Sequence, residues 1–331
     1  MRRTTSPVPL VLLGAGTFLL VLAAMLAWYV EPRAQRTPID TDVTTVFTGQ
    51  GSYFDTGRVK TVDEAELTIT RKVRGDVADS EESGRAIWDV STSVDTNDTL
   101  PASDPHDSFQ WTVERWVTDR ETNAPVHCCG ESPRFDGEAY LKFPFNVEKR
   151  PYRWWDSTLG ATVELRFKER TKVQGHEGYL FTGTVDPVKT GTRQVPGVLV
   201  GRPERGQVLA EEWYANHGIE LVADQRTGRI LLAAIGPRKT LRAPGADSAE
   251  NEVVLLESER IAFTEETQRK QVELARADNR KLQLVGVTGP VGAGALGLLL
   301  AVAGSVMVFR RRPEDPAGVP APVRVPEHST R

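Results

Sequence analysis

The 331-residue chain has only two cysteines, and they are neighbours, Cys128 and Cys129. Adjacent cysteines cannot tie distant parts of a fold together, so no disulfide framework holds this protein. They are left as a possible redox pair, an intermolecular bridge or two thiols. His127 beside them does not make a metal centre, because zinc takes ligands from separated pairs and no second pair exists. No tract rich in Lys and Arg occurs, and the formal net charge of −4 is too small to point to nucleic acid. Gly-x-Ser-x-Gly, His-Glu-x-x-His and the Walker A loop are all absent. Without them the sequence offers no catalytic motif, no cofactor and no metal.

Charge is missing altogether from two long stretches, Pro9 to Val30 and Leu284 to Phe309. About 20 predominantly apolar residues are enough for a helix to cross a hydrocarbon core of about 30 Å. Both stretches qualify. The first, 9–30, is longer than the roughly 7–15 apolar residues of a cleaved signal peptide, and no Ala-x-Ala site closes it. It ends in Trp28 and Tyr29, a pair suited to the interface, and reads as an uncleaved signal anchor. Arg310, Arg311 and Arg312 stop the second, 284–309. The expected topology is a two-pass plasma-membrane protein with cytoplasmic termini, 1–8 and 310–331, the latter tail Pro-rich and disordered. Residues 31–263 then form an extracytoplasmic domain, joined by a juxtamembrane stalk over 264–283. Arg33, Arg36, Arg276, Arg280 and Lys281 make the outer flanks basic too, but long domains translocate largely regardless of charge.

Within the second stretch Gly292-Ala-Gly294-Ala-Leu-Gly297 matches G-x-G-x-x-G, without the strand that a dinucleotide site needs before it. Gly297, Ala301 and Ser305 are spaced by four and share a helix face, and Ala23 and Ala27 give a shorter patch on the first helix. Small residues so placed let helices approach closely. The two helices are expected to pack together, or to make a homo-oligomer by packing on a second copy.

The middle of the chain alternates in the period-two manner of half-buried strands, for example over 65–73, 109–117 and 162–167. Short strands separated by Gly, Asp and Asn predict a mainly β domain, an antiparallel sandwich or barrel, flanked by the two transmembrane helices. Charges such as Glu66, Arg71, Glu114 and Arg115 are expected to face water. Two turns are alike: Asp119-Arg-Glu-Thr-Asn123 and Asp224-Gln-Arg-Thr-Gly228 each pair Asp and Thr with a residue that tolerates positive φ. They read as ordinary turns, or as the mark of a duplicated unit. One helix outside the membrane is expected, capped by Thr264 and carrying a thin apolar stripe of Val272, Ala275 and Leu282 broken by Asn279.

The most unusual composition lies in 140–160, where Phe143, Phe145, Tyr152, Trp154 and Trp155 alternate with Lys142, Lys149, Arg150 and Arg153. Rings beside cations suit an anionic head group, a stacked ligand or a membrane interface, or else form a loop that plugs one end of the β domain. Lys142-Phe-Pro-Phe145, Glu148-Lys149, Tyr152 and Asp156-Ser-Thr-Leu159, with Val126-His-Cys-Cys-Gly130, Gly191-Thr-Arg-Gln-Val-Pro-Gly197 and Phe263-Thr-Glu-Glu-Thr267, resemble a family of actinobacterial membrane proteins labelled porin PorA. The resemblance covers nearly the whole chain, and 31 Arg against 10 Lys fits a high-GC genome. The label implies a channel and brings no catalytic residues. The strands carry too many charges for the apolar outer band of a membrane barrel. In topology the chain is similar to class B scavenger receptors, which hold a lipid tunnel between two terminal helices.

The leading expectation is a non-enzymatic envelope protein that binds or passes a lipid or other apolar component. The alternatives are a channel component, a structural or signalling partner of envelope machinery, or an enzyme without a recognised motif. For the last, His176 and His217 are candidates, and Asp104, His106 and Asp107 a conceivable cation cluster.

Overall fold

The computed structural model describes residues 7–99, 107–245 and 252–310. Asp104 and His106 lie outside them. The chain divides into two units, one of 1–31 with 283–331 and one of 32–282.

The first unit is a helical pair. Helix α1, Val8–Met25, continues through a π-helical turn, Leu26–Val30, into the short α2, Glu31–Ala34. Helix α5, Gly289–Phe309, follows a matching π-turn at Leu284–Thr288. Both helical stretches are long and apolar enough to cross a membrane. They pack on each other through glycines. A Cβ on Gly16 would lie 2.6 Å from the Ala301 nitrogen and 2.8 Å from the Gly297 oxygen, and one on Gly304 would lie 3.0 Å from the Pro9 oxygen. Pro9, Gly16, Gly297 and Gly304 are buried. The expected Gly297–Ala301 face is therefore covered by α1 of the same chain, which removes it as a surface for a second copy. Ala23 sits near Gly294, while Ala27 and Ser305 are half-buried beside this seam. Gly297 and Ala301, spaced by four, both meet Gly16, and the seam continues in seven-residue steps, 9–16 and 297–304, that add Gly304. Steps of seven are the mark of helices that wind about each other.

The second unit is one antiparallel sheet of eleven strands in the order β4-β3-β2-β1-β10-β9-β8-β7-β6-β5. In sequence these are β1 Asp42–Asp55, β2 Lys60–Gly75, β3 Ala86–Asp95, β4 Gln110–Thr118, β5 Tyr152–Asp156, β6 Ala161–Val173, β7 His176–Pro196, β8 Gln207–Ala223, β9 Ile230–Arg242 and β10 Val253–Glu257. The three-residue β11, Ile261–Phe263, pairs with β1 and β9. The sheet cannot be flat. Strands β4 and β9 are five places apart, about 24 Å at normal strand spacing, yet Lys239 Nζ on β9 donates to Gln110 Oε1 on β4 at 3.0 Å. A single curled sheet, not a two-sheet sandwich, is the result.

The curl is completed by a loop. Pro125 and Ser132 bridge to β4 at Thr118 and Arg115, and Ala139 bridges in parallel to Trp154 of β5. The segment between β4 and β5 thus covers both outer strands, which would otherwise expose unpaired backbone groups. Its turn at Ala124–Gly130 contains the Cys128–Cys129 disulfide, whose second carbonyl accepts from Arg115 Nε at 3.0 Å.

The two similar turns are equivalent in detail. Asp119 Oδ1 accepts from the Glu121 amide and from the Thr122 amide and hydroxyl; Asp224 Oδ1 accepts from the Arg226 amide and from the Thr227 amide and hydroxyl. Asn123 and Gly228 supply φ of 61° and 71°. Each follows its strand directly, β4 and β8, and each receives an outside amide: Thr37 N to Arg120 O and Val147 N to Gln225 O, both 2.7 Å. The match extends to the preceding strands, because Arg85 before β3 pairs with Asp119 as His176 at the start of β7 pairs with Asp224. Such correspondence favours a repeated β unit over two unrelated turns.

Both connecting segments are tied to the β unit. The Thr264 hydroxyl accepts from the Thr267 amide as foreseen, and α4, Glu265–Gln283, follows. It is not a free stalk. Val272 and Ala275 pack with Val173, Val222 and Leu231 of the sheet, and Asn279, which seemed to interrupt the stripe, donates to Asp224 Oδ2 at 2.8 Å. Residues 35–38 are equally held: Thr37 is fully buried, and Asn146 Nδ2 donates to Gln35 Oε1 at 2.8 Å. A helix that was not foreseen, α3 at Val77–Ser83, is capped by Asp76 and closed by Gly84 at φ 70°.

Candidate functional site

The aromatic–basic segment divides by exposure. Phe143, Tyr152, Trp154 and Trp155 are buried in the main core. Phe143 stacks on Phe181 with centroids 4.7 Å apart and meets Tyr152 edge-on at 5.2 Å. The rings fill one end of the curled sheet and are not presented to solvent. Of the cations, Lys149 and Arg153 are exposed, and half-exposed Arg150 lies over the Tyr152 ring at 4.0 Å and pairs with Glu138 at 2.8 Å. Lys142 is buried, its Nζ 4.0 Å from the half-buried Phe145 ring and 3.4 Å from Thr37 Oγ1. Burial first, and then the Arg229 guanidinium, lower its pKa to about 7.

The open space lies elsewhere. An open cavity of about 730 Å³ is lined by β1–β4, by β7–β10 and by the β5–β6 turn. Alternation decides its character. Gln110, Thr112 and Glu114 of β4 face inward, while Arg115 turns out to Asp76, Asp79 and Asp89. Arg71 and Glu114, expected to meet bulk water, line this interior instead; Glu66 is exposed as expected. Tyr53, Phe109, Trp213 and Tyr214 add aromatic surface.

The turn Asp156-Ser-Thr-Leu-Gly160 shapes the floor. Asp156 Oδ1 accepts from the Thr158 and Leu159 amides at 2.9 Å, which sets Ser157 and Thr158 into the cavity wall. Two buried tyrosines flank it. Tyr214 donates to Asp156 Oδ2 at 2.9 Å and accepts from Asn216 Nδ2. Tyr140 donates to Glu114 Oε2 in a short hydrogen bond and accepts from Ser157. Burial is the main cause that raises both phenol pKa values, with Glu114 and Asp156 adding to it, so both hydroxyls stay protonated at neutral pH. Tyr140→Phe leaves the Glu114 carboxylate, only 6% exposed, without this donor. We expect a loss of about 1–3 kcal/mol in urea unfolding.

Among the described residues, every carboxylate lining this space already has a donor. Glu212 holds Arg193 at 2.5 Å, Asp98 accepts from Tyr53 at 3.2 Å, and Asp55 accepts from the Gly57 and Arg58 amides. The cations differ: among the described residues Lys239 bonds Gln110 alone, while Arg71 donates from Nε to Thr92 Oγ1 at 3.2 Å and lies 5.9 Å from the centre of the Tyr140 ring. Burial lowers the Lys239 pKa.

Among the described residues the histidines do not gather into a site. His176 Nε2 meets Asp224 Oδ2 at 2.7 Å beneath α4, His127 meets Glu131, and His217 is exposed. The sequence pointed to the aromatic segment and missed the cavity, whose only local trace was Asp156-Ser-Thr-Leu159.

No curated protein matches the chain. A family model described as Porin PorA matches residues 8–306. That match takes in α1, the whole β unit and nearly all of α5, and together with two helices of spanning length it fits a membrane protein. The chain belongs to the porin PorA family.

Proposed function

We propose that the chain is a two-pass membrane protein with cytoplasmic termini, and that its β unit is an extracytoplasmic binding module for a polar or amphipathic envelope molecule held in the cavity. The observation that carries this reading is an open cavity crossed by the Lys239–Gln110 hydrogen bond and lined by both charges and rings. Its volume falls within the range of roughly 300–1,000 Å³ found for small-molecule sites. An acyl chain would be poorly served by walls carrying Arg71, Glu114, Glu212 and Lys239, since burying unpaired charge beside hydrocarbon is costly. The reading therefore moves from an apolar component to the polar part of one. Lining carboxylates that already hold donors are ill placed to act as a general base, which supports binding over catalysis. A channel remains the second reading, and the family description is what favours it.

The test is native mass spectrometry of the full chain released from its membrane in a mild detergent. A discrete adduct is expected in the wild type and should vanish in Thr112→Trp, which fills the cavity from β4, with circular dichroism unchanged. No adduct in the wild type, or the same adduct in a folded Thr112→Trp protein, would overturn the proposal.

A further inference from the structure

The sulfur pair lies outside the cavity lining and has no part in the binding reading above. A disulfide stabilises a fold chiefly by closing a loop in the unfolded chain, and the gain grows with the length of that loop. Cys128 and Cys129 are one residue apart, so there is no loop to close and the bond is no staple. What it controls is the backbone of one turn.

That turn is the apex of an arch over β4. One foot is the Val126 amide, which donates to Val117 O at 3.0 Å; the other is Ser132, which exchanges backbone hydrogen bonds of 2.6 and 3.1 Å with Arg115. Behind the second foot Glu131 Oε1 accepts from the amide of buried Phe135 at 2.7 Å, so both feet are held without the sulfurs. At the apex Cys129 has φ 58°, a left-handed conformation that is costly for an L residue. In that conformation its carbonyl accepts from Arg115 Nε at 3.0 Å. The same guanidinium reaches Asp89 at 2.8 Å, Asp76 at 2.9 Å and Asp79 at 2.5 Å, and Asp76 is the cap of α3. Apex, arginine and helix cap form one line of contacts. Both cysteines are half-buried, between exposed His127 and Gly130, where a small reagent can reach them. We propose that Cys128–Cys129 is a thiol–disulfide exchange site, whose reduction by a dithiol frees Cys129 from its left-handed turn and withdraws the carbonyl that steadies Arg115 against the α3 cap. A thiolate of the dithiol attacks one sulfur and releases the neighbouring cysteine; the dithiol's second sulfur then displaces the other. The reductant leaves as its own disulfide, and two electrons and two protons remain on Cys128 and Cys129.

The experiment uses the full chain in phosphatidylcholine nanodiscs, treated with excess dithiothreitol under native conditions and then with iodoacetamide. Intact mass is expected to show two alkylated cysteines after reduction and none before it. Hydrogen exchange of the reduced chain is expected to quicken roughly tenfold or more at the Cys128 and Glu131 amides of the arch and at the Asp79 and Ser80 amides of α3, because a hydrogen bond to a charged group carries about that much. Those four amides now donate to Val126 O, Cys128 O, Asp76 Oδ1 and Asp76 O. Exchange in β7 and β8, which the arch does not touch, should stay as it was. The double variant Cys128→Ser, Cys129→Ser should show the quickened pattern without dithiothreitol and no response to it; should it fail to fold, the reduced wild type decides alone. A folded chain that dithiothreitol leaves unalkylated overturns the exchange site. Reduction that leaves the α3 amides unchanged, or that quickens exchange in β7 and β8 equally, overturns the link through Arg115.

Discussion

Gly228→Ala is expected to cost about 4 kcal/mol or more and to lower the melting temperature by roughly 8–16 °C. Two effects combine. The backbone at Gly228 has φ 71°, where an L residue pays about 1–2 kcal/mol. The new Cβ would also sit 2.1 Å from the Phe143 carbonyl oxygen and 2.5 Å from that of Pro144, so the turn and the 143–147 segment must part. Phe143 N to Gly228 O, Asn146 N to Arg226 O and Val147 N to Gln225 O then lengthen together, each leaving buried backbone groups short of a partner. Gly160→Ala separates the causes. Gly160 has φ 65° and nothing within 4 Å of its would-be Cβ, so it should lose only the conformational part. Equal losses in the two variants, measured by differential scanning calorimetry, would remove the close approach as the reason for glycine at 228.

Lys142→Met is expected to do the opposite, raising stability by about 3 kcal/mol or more at pH 6. The ammonium is buried, and its pKa in the folded chain is held near 7, first by burial and then by Arg229, with Asp278 opposing. An unfolded lysine titrates near 10.4. Between those values the unfolded chain keeps a proton that the folded chain has shed, so folding stability rises with pH over that window and is lowest below pH 7. The full shift of about three pKa units corresponds to an upper bound of about 4–5 kcal/mol. Methionine fills nearly the same volume without a charge, and buried charges replaced by apolar isosteres commonly gain stability. The gap between variant and wild type should close as pH approaches 10. Urea unfolding at pH 6 and pH 10 measures it, and a gap that does not narrow would mean that Lys142 is neutral, or well solvated, throughout.

What was readable in the sequence was local. The uncharged stretches, the strand alternation at 65–73, the Thr264 cap and the two Asp-x-x-Thr turns each depend on residues a few positions apart, and each appears where expected. The Asp76 cap and the Gly84 close of α3 are local signals of the same kind. The cavity was not readable, because both faces of its strands are polar. On β4, Gln110, Thr112 and Glu114 alternate with Trp111, Val113 and Arg115, and by composition alone the second set is the better candidate for the interior. The curl and the β4–β5 loop reverse that choice. They place Trp116 and Phe135 in the core while Val113 stays 58% exposed. The aromatic segment misled for a related reason: rings beside lysine and arginine are equally the composition of a contact surface and of a packed plug whose cations reach out past its edge.

The two ends of the β unit are fastened to one small region. Thr37 and Gln35 reach Lys142 and Asn146, while Asp278 and Asn279 of α4 reach Arg229 and Asp224 on the adjoining turn. A pull between Pro32 and Leu282 would therefore run along a path of a few side chains, from Thr37 through the Lys142–Asn146 stretch to the 224–229 turn and α4. A second path leaves Thr37 and Pro38 through their bonds to Arg120 after β4 and to Trp88 of β3. Mechanically, the sheet is slung from a short clasp on one side and from its own β3–β4 edge on the other, so tension in the connecting segments would be felt by both.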